Sequence, residues 1–181
     1  KIYYQEYHRG DAGDKLQTKG KTDKRGTKIT FYPDKEIFDT VVFDYQTILN
    51  RIRQQAYLTK GVQISVIDEH TNSRYQFYFE GGLKSYVQHL NKNKEKIGGV
   101  VYVEREVDEG LVEIALQYTG TYQETIYTFA NNIHTVEGGM HLTGFKAALT
   151  RTINSYARSS EILKEKDGNL TADDVREGLT A

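Results

Sequence analysis

The chain has 181 residues, of which 38% are hydrophobic, and this length suffices for one domain with a core and a small second unit. It contains no cysteine, which excludes disulfide bridges and thiolate metal sites. The formal net charge of −1 gives no support for a uniformly basic nucleic-acid binder. No apolar run approaches the roughly 18 residues that a membrane-spanning helix requires. These properties predict a globular, cytoplasmic protein.

The N-terminal part of the chain is predicted to hold two strands separated by a mobile loop. Aromatic and β-branched residues over 2–7 favour a strand. This strand begins without a cap or a turn, which indicates that it pairs with upstream residues of a longer chain. The polar, glycine-rich residues 9–25 predict the loop, and residues 27–32 predict a second strand that ends at Pro33.

From Asp44 onward the apolar residues follow a helical period. Asp44 is a candidate N-cap for an amphipathic helix that ends before Gly61. Alternation then returns over 62–66 and 75–79, which predicts a hairpin. A second helix is predicted over 83–90.

A second hairpin and a further strand are predicted in the middle of the chain. Apolar residues alternate over 100–104 and 111–118, and residues 108–110 between them have the composition of a turn. A further strand is predicted over 124–129.

The C-terminal part is predicted to be helical. One face of a long helix is marked by Phe145, Ala148, Leu149, Thr152, Ile153 and Tyr156. A short helix over 170–178 has Thr171 as its predicted cap and acidic residues in its first turn. The order of elements therefore predicts an α+β fold, with a mixed sheet and helices packed on one face.

Short motifs occur along the whole chain: GTKITFYPD at 26–34, LTKGV at 58–62, YFEGG at 78–82, LNKNK at 90–94, VEIALQY at 112–118, NNI at 131–133, EGG at 137–139 and REGLTA at 176–181. In order and spacing they resemble the ATPase region of the B subunits of bacterial type IIA DNA topoisomerases, a family of GHKL ATPases. Residues 144–151 favour the gyrase branch of this family over the topoisomerase IV branch.

The resemblance implies a division of the chain into two parts. Residues 1–32 would be the last strands of the GHKL ATP-binding domain, and residues 33–181 the transducer domain without its C-terminal part. The family's transducer contains a left-handed βαβ unit, as in ribosomal S-five domain-like proteins, and most such units are right-handed.

The resemblance also implies which nucleotide-site residues are present. Gly26 and Thr27 match positions beside the adenine, where the threonine hydroxyl joins the hydrogen-bond network. The family's Mg²⁺-binding Asn, water-activating Glu and adenine-binding Asp lie upstream of Lys1, and the Lys of its Q-T-K loop lies downstream of Ala181. The sequence Gln-Thr-Lys also occurs at 17–19, but there it lies inside the predicted N-terminal loop and does not correspond to the family's Q-T-K loop. We therefore predict no catalytic or metal-binding residue here, and neither tight ATP binding nor hydrolysis by the chain alone.

In the intact enzyme, the resemblance implies use of ATP and Mg²⁺, an A subunit and a second B subunit as partners, and passage of DNA between paired transducers. The basic residues Lys92, Lys94 and Lys96, together with Arg51 and Arg53, are interpreted as solvated surface, with phosphate contact as the second hypothesis. The glycine pairs at 81–82 and 138–139 precede predicted helices, but a role in chain reversal is favoured over phosphate binding. His141 is expected to be a hydrogen-bonded structural residue. Topoisomerase IV and a non-enzymatic protein-interaction module are the alternatives.

Overall fold

The computed structural model describes residues 1–108 and 110–181. They form two units, Lys1–Val42 and Phe43–Ala181. The division predicted at residues 32 and 33 stays a prediction, because the two units are defined by contacts within this chain alone.

The first unit contains four short strands. They are β1 (Ile2–Tyr4), β2 (Tyr7–His8), β3 (Asp11–Ala12) and β4 (Gln17–Gly20). β1 pairs antiparallel with β4, and β2 pairs antiparallel with β3. The prediction of a mobile loop over 9–25 is therefore wrong in part, because two short strands lie within it.

The strand predicted over 27–32 is also wrong, since these residues are neither helical nor in a strand. Ile29 is 83% exposed and Tyr32 is 91% exposed. Residues with high β propensity form a strand only when a neighbouring strand takes up their hydrogen bonds. None of the strands found in the described residues includes this segment.

The second unit begins with a helix packed on a hairpin. In α1 (Tyr45–Leu58) the Asp44 carboxylate accepts hydrogen bonds from the amides of Gln46 and Thr47, so the predicted N-cap is confirmed. The hairpin consists of β5 (Ile64–Asp68) and β6 (Ser73–Phe77). Their shared core contains Leu49, Ala56 and Phe77.

The largest sheet follows the helix α2 (Leu83–Leu90). β7 (Lys96–Val107) pairs antiparallel with β8 (Gly110–Thr119), and the register is irregular between Ile97 and Val101. The predicted second hairpin is thus confirmed, although Glu109 of its predicted turn lies outside the described residues. α2 packs on this sheet.

Of the residues predicted to form a strand over 124–129, only Thr125 and Phe129 take part in β pairing. Thr125 forms an isolated bridge, and β9 (Phe129–Ala130) pairs with β10 (Ile133–His134). Asn131 and Asn132 join β9 to β10 with φ of 48° and 65°, as a tight hairpin turn requires.

Two helices and a final strand complete the chain. α3 is Met140–Ser159, α4 is Ala172–Arg176 and β11 is Leu179–Thr180. The predicted cap of α4 is confirmed as a capping box between Thr171 and Asp174. None of the helices described here combines the length and apolarity needed to cross a bilayer.

β11 makes the main sheet mixed. It pairs antiparallel with β8, and on its other side Thr180 forms a parallel bridge with Thr125. The predicted α+β class is confirmed.

The face predicted for α3 is only partly correct. Asn154 and Ala157 are the buried residues of this helix, whereas Tyr156 of the predicted face is 65% exposed. The buried side includes a polar residue, Asn154, because its side chain bonds both backbone groups of Leu170. A pattern of apolar residues does not reveal such a contact.

Candidate functional site

Gly26 and Thr27, the two residues predicted to lie beside a nucleotide, belong to the irregular part of the first unit. Gly26 has a φ of 151°, and no atom lies within 4 Å of the position a Cβ would occupy. Thr27 is exposed. Its contact with an adenine stays a prediction.

The glycines before α2 and α3 are explained by chain geometry. Gly82 and Gly139 are the N-caps of these helices, with φ of 53° and 141°. Gly138 also has a positive φ, of 76°. The structural interpretation is therefore favoured for Gly82, Gly138 and Gly139.

His141 has the role expected for it. Its Nε2 atom lies 3.0 Å from Thr135 Oγ1, and this hydroxyl also lies 2.7 Å from Thr128 Oγ1. The imidazole thus joins the first turn of α3 to the residues that flank the hairpin β9–β10, through a chain of hydrogen bonds.

A cationic groove of about 400 Å³ lies where α1, α2 and Tyr127 meet, and we call it the α1–α2 groove. Its lining includes Arg51, Arg53, Gln54, Tyr57, Tyr86, His89 and Tyr127. Neither Asp nor Glu is among its lining residues. Arg51 and Arg53 of α1 line the same groove as His89 of α2, although they lie far from it in the sequence.

Three tyrosines line this groove. The rings of Tyr57 and Tyr86 stack with centroids 5.0 Å apart, and Tyr86 lies 5.9 Å from Tyr127. Burial raises the pKa of the Tyr86 hydroxyl, so this group is a neutral donor at physiological pH. Burial, together with the charges of Lys92 and Arg53, lowers the pKa of His89. His89 is therefore neutral near pH 7.

A larger groove of about 1130 Å³ lies between α3 and the segment that leads into α4. Arg158 lines it, and its guanidinium donates to the carbonyls of Lys164 and Asp167 and to Asn169 Oδ1. These bonds hold the loop after α3 against the helix, so Arg158 has a structural role.

Glu124 connects two elements at the edge of this groove. Its carboxylate lies 2.6 Å from Lys146 Nζ and 3.0 Å from Arg176 Nε. Burial opposes ionisation of Glu124, but hydrogen bonds from Lys146 and Arg176 outweigh it and lower the pKa of this carboxyl. Sequence reasoning missed this cluster because its members are far apart in the chain.

We expect the Glu124 cluster to make stability depend on pH. A carboxyl whose pKa is lower in the folded state stabilises the fold above its unfolded pKa, and this contribution is lost as pH falls through the folded value. The Glu124→Gln variant should therefore melt below the parent chain at pH 7. The difference should disappear as pH falls below the ordinary value of 4.5.

The exposed variant Glu165→Gln is the control, and it should melt like the parent chain at both pH values. A Glu124→Gln deficit of the same size in acid and at pH 7 would contradict the expectation. The measurement is thermal unfolding followed by circular dichroism.

A buried polar network, which sequence reasoning also missed, holds the C-terminal strand. The side chains of Asn91 and Thr180 are completely buried. Asn91 Nδ2 donates to Gln117 Oε1 at 3.1 Å, and Asn91 Oδ1 accepts from Thr180 Oγ1 at 2.8 Å. Gln117 Nε2 in turn donates to the carbonyl of Gly98 at 2.9 Å. The network thus joins the end of α2 to β7, β8 and β11.

Comparison with solved structures defines the class of fold. The 43K ATPase domain of Thermus thermophilus gyrase B, solved in complex with an aminocoumarin, aligns with 98% of this chain and 49% of its own, at a TM-score of 0.82 and 34% identity. The topoisomerase IV ATP-binding domain of Francisella tularensis, at 22% identity and a TM-score of 0.74, shares the fold. The fold is therefore that of the ATPase regions of bacterial topoisomerases.

Sequence comparison identifies the family. The family model described as DNA gyrase B matches residues 82–181. The DNA gyrase B protein of Clostridium acetobutylicum is 51% identical over 99% of this chain, and that of Enterococcus faecalis is 48% identical over 100%. The chain belongs to the DNA gyrase B family and corresponds to part of its ATPase region. It spans 29% of the length of these two relatives.

Proposed function

We propose that this chain couples ATP binding and hydrolysis to DNA strand passage and negative supercoiling within a type IIA topoisomerase. The observation that carries the proposal is the alignment of nearly the whole chain with a gyrase B ATPase domain. Gyrase is favoured over topoisomerase IV because the sequence relatives are named as gyrase B proteins.

The chain's own contribution to the nucleotide site would come from Gly26 and Thr27. The exposed hydroxyl of Thr27 can donate and accept at once, which fits a polar contact with an adenine ring. No group of three His, Asp or Glu side chains suited to a metal ion occurs in residues 1–108 and 110–181. The family resemblance places the residue that holds the Mg²⁺ of ATP outside these 181 residues, and this stays part of the proposal.

The second unit would act as the transducer. Its C-terminal strand is fixed to the main sheet by pairing with β8 and by the buried Asn91 network. A sheet held in this way moves as a rigid body, as coupling between a nucleotide site and a distant gate requires. Its partners would be the A subunit, a second B subunit and the DNA that passes between them, in the cytoplasm.

A comparison of two chains tests the proposal. Isothermal titration with a non-hydrolysable ATP analogue and Mg²⁺ would be made on these 181 residues and on a chain extended into the natural sequence on both sides. Binding by the extended chain alone is expected. Within that chain Thr27→Ala should weaken binding roughly fivefold, the effect of one lost neutral hydrogen bond. Thr30→Ala, also exposed, is the matched control.

The assembled enzyme distinguishes the alternatives. The full-length subunit that contains this chain, combined with the A subunit, should introduce negative supercoils in an ATP-dependent reaction. Preferential decatenation would indicate topoisomerase IV. An extended chain that neither binds nor hydrolyses ATP would contradict the proposal and favour a protein-interaction module.

A further inference from the structure

The hydrogen bonds of the buried network all run in one direction across the main sheet. Thr180 Oγ1 donates to Asn91 Oδ1, and Asn91 Nδ2 donates to Gln117 Oε1. Gln117 Nε2 then donates to the carbonyl of Gly98. The order of the strands is β11, β8, β7, so the network reaches from β11 to the edge strand β7. Its three side chains are at most 4% exposed, and water does not readily replace a missing partner.

The carbonyl of Gly98 determines this direction. A carbonyl only accepts hydrogen bonds, so Gln117 must turn its amide nitrogen toward Gly98 and its amide oxygen toward Asn91. Asn91 must then present its nitrogen to Gln117 and its oxygen to Thr180. The Thr180 hydroxyl both donates and accepts, so it fits either direction. One peptide group in β7 thus sets the orientation of two buried side-chain amides.

The peptide between Gly98 and Gly99 can reverse this direction by turning over. It lies where the register of β7 is irregular, between Ile97 and Val101. The turned peptide would offer the N–H of Gly99 in place of the carbonyl of Gly98. Gly99 would then have a positive φ, since a turned peptide relates type I turns to type II turns in this way.

The identity of residue 99 agrees with this motion. Gly99 does not have a positive φ in this structure, and no atom lies within 4 Å of the position its Cβ would occupy. Neither crowding nor the present backbone conformation therefore requires a glycine. The turned peptide does require one, because a residue with a Cβ adopts a positive φ at a cost.

We propose that the side-chain amides of Asn91 and Gln117 and the Gly98–Gly99 peptide form a two-state switch and turn over together. In the second state the N–H of Gly99 donates to Gln117 Oε1, and Gln117 Nε2 donates to Asn91 Oδ1. Asn91 Nδ2 then donates to Thr180 Oγ1. Both states contain three hydrogen bonds, whereas a turn of one group alone would leave two donors or two acceptors facing each other in the interior.

The switch links β11 to the edge of the sheet. The hydroxyl at one end belongs to β11, and the peptide at the other end is an exposed part of β7. A shift of β11 that changes the contact of Thr180 would thereby change whether the edge strand turns a carbonyl or an N–H inward. The inference does not depend on the proposed function, because all of these contacts lie within the second unit.

Nitrogen-15 relaxation dispersion on the 181-residue chain tests the switch, since this measurement detects exchange on the microsecond to millisecond timescale. The backbone amide of Gly99 and the side-chain amides of Asn91 and Gln117 should exchange with one rate and one minor population. Gly99→Ala should lower that population roughly tenfold, the cost of a positive φ for alanine. Exchange at the Asn91 and Gln117 side chains should then disappear, although neither residue is changed.

Gly168→Ala is the matched control. Gly168 also lacks a positive φ and also has no atom within 4 Å of its Cβ position, so its replacement should leave the exchange unchanged. Circular dichroism should show both variants folded, because both glycines are exposed. Absence of exchange at Gly99 in the parent chain, or different rates at the three groups, would overturn the inference. Persistence of the side-chain exchange in Gly99→Ala would overturn it as well.

Discussion

Replacing Gly178 with alanine should destabilise the second unit by about 2–6 kcal/mol, the sum of backbone strain and overpacking. Gly178 has a φ of 72°, a conformation that residues with a Cβ adopt at a cost. The added Cβ would also lie 2.4 Å from the carbonyl oxygen of Thr119 and 2.6 Å from that of Thr121. Both obstacles are backbone atoms of the neighbouring chain segment, so a side-chain rotation cannot relieve the clash. The measurement is urea denaturation.

Gly144→Ala is the matched control for this substitution. Gly144 lies inside α3, and nothing lies within 4 Å of the position its Cβ would take. Alanine is the better helix former, so this variant should gain about 0.5–1 kcal/mol. A Gly178→Ala chain as stable as the parent would show that β11 does not require this close approach.

Removing the side chain of Asn91 should cost about 2–4 kcal/mol, because two buried partners lose their hydrogen bonds at once. Asn91→Ala leaves Gln117 Oε1 without its donor and the Thr180 hydroxyl without its acceptor. All three side chains are buried, so water does not readily replace the lost contacts. The loss should appear in urea denaturation and as faster amide exchange in β11.

Asn93→Ala tests whether the effect comes from the network. Asn93 is exposed and lies two residues further along the same loop. Its replacement should change stability by less than about 0.5 kcal/mol, as is usual at the surface. Similar losses in both variants would assign the effect to the loop and not to the buried network.

The helices and long hairpins could be predicted because their signals are local. Asp44 and Thr171 cap α1 and α4 as their residue types indicate, and the period of 3.6 residues places α2 correctly. The two long hairpins follow from alternation of apolar residues on either side of a turn. Each of these signals lies within a window of a few residues.

The remaining features depend on contacts between distant residues. Thr125 and Phe129 were predicted to lie in one strand, yet Thr125 bridges Thr180 while Phe129 pairs with His134. The segment at 27–32 has the composition of a strand but is irregular in the structure. Pairing is decided by where the rest of the sheet lies, and local composition does not contain that information.

The candidate site shows the same limit. Gly26 and Thr27 were found through a family resemblance, and their composition alone indicates only a turn. The α1–α2 groove combines arginines of one helix with Tyr86 of another. This grouping is not visible before the helices are packed.

The position of β11 determines how this sheet responds to a mechanical load. Backbone hydrogen bonds flank the strand on both sides, to Tyr118 and Gln117 of β8 and to the segment that contains Thr125 and Tyr127. A force applied along the strand loads all of these hydrogen bonds together in shear. They therefore cannot break one at a time. Tension at Ala181 would therefore reach the whole sheet before the strand detached.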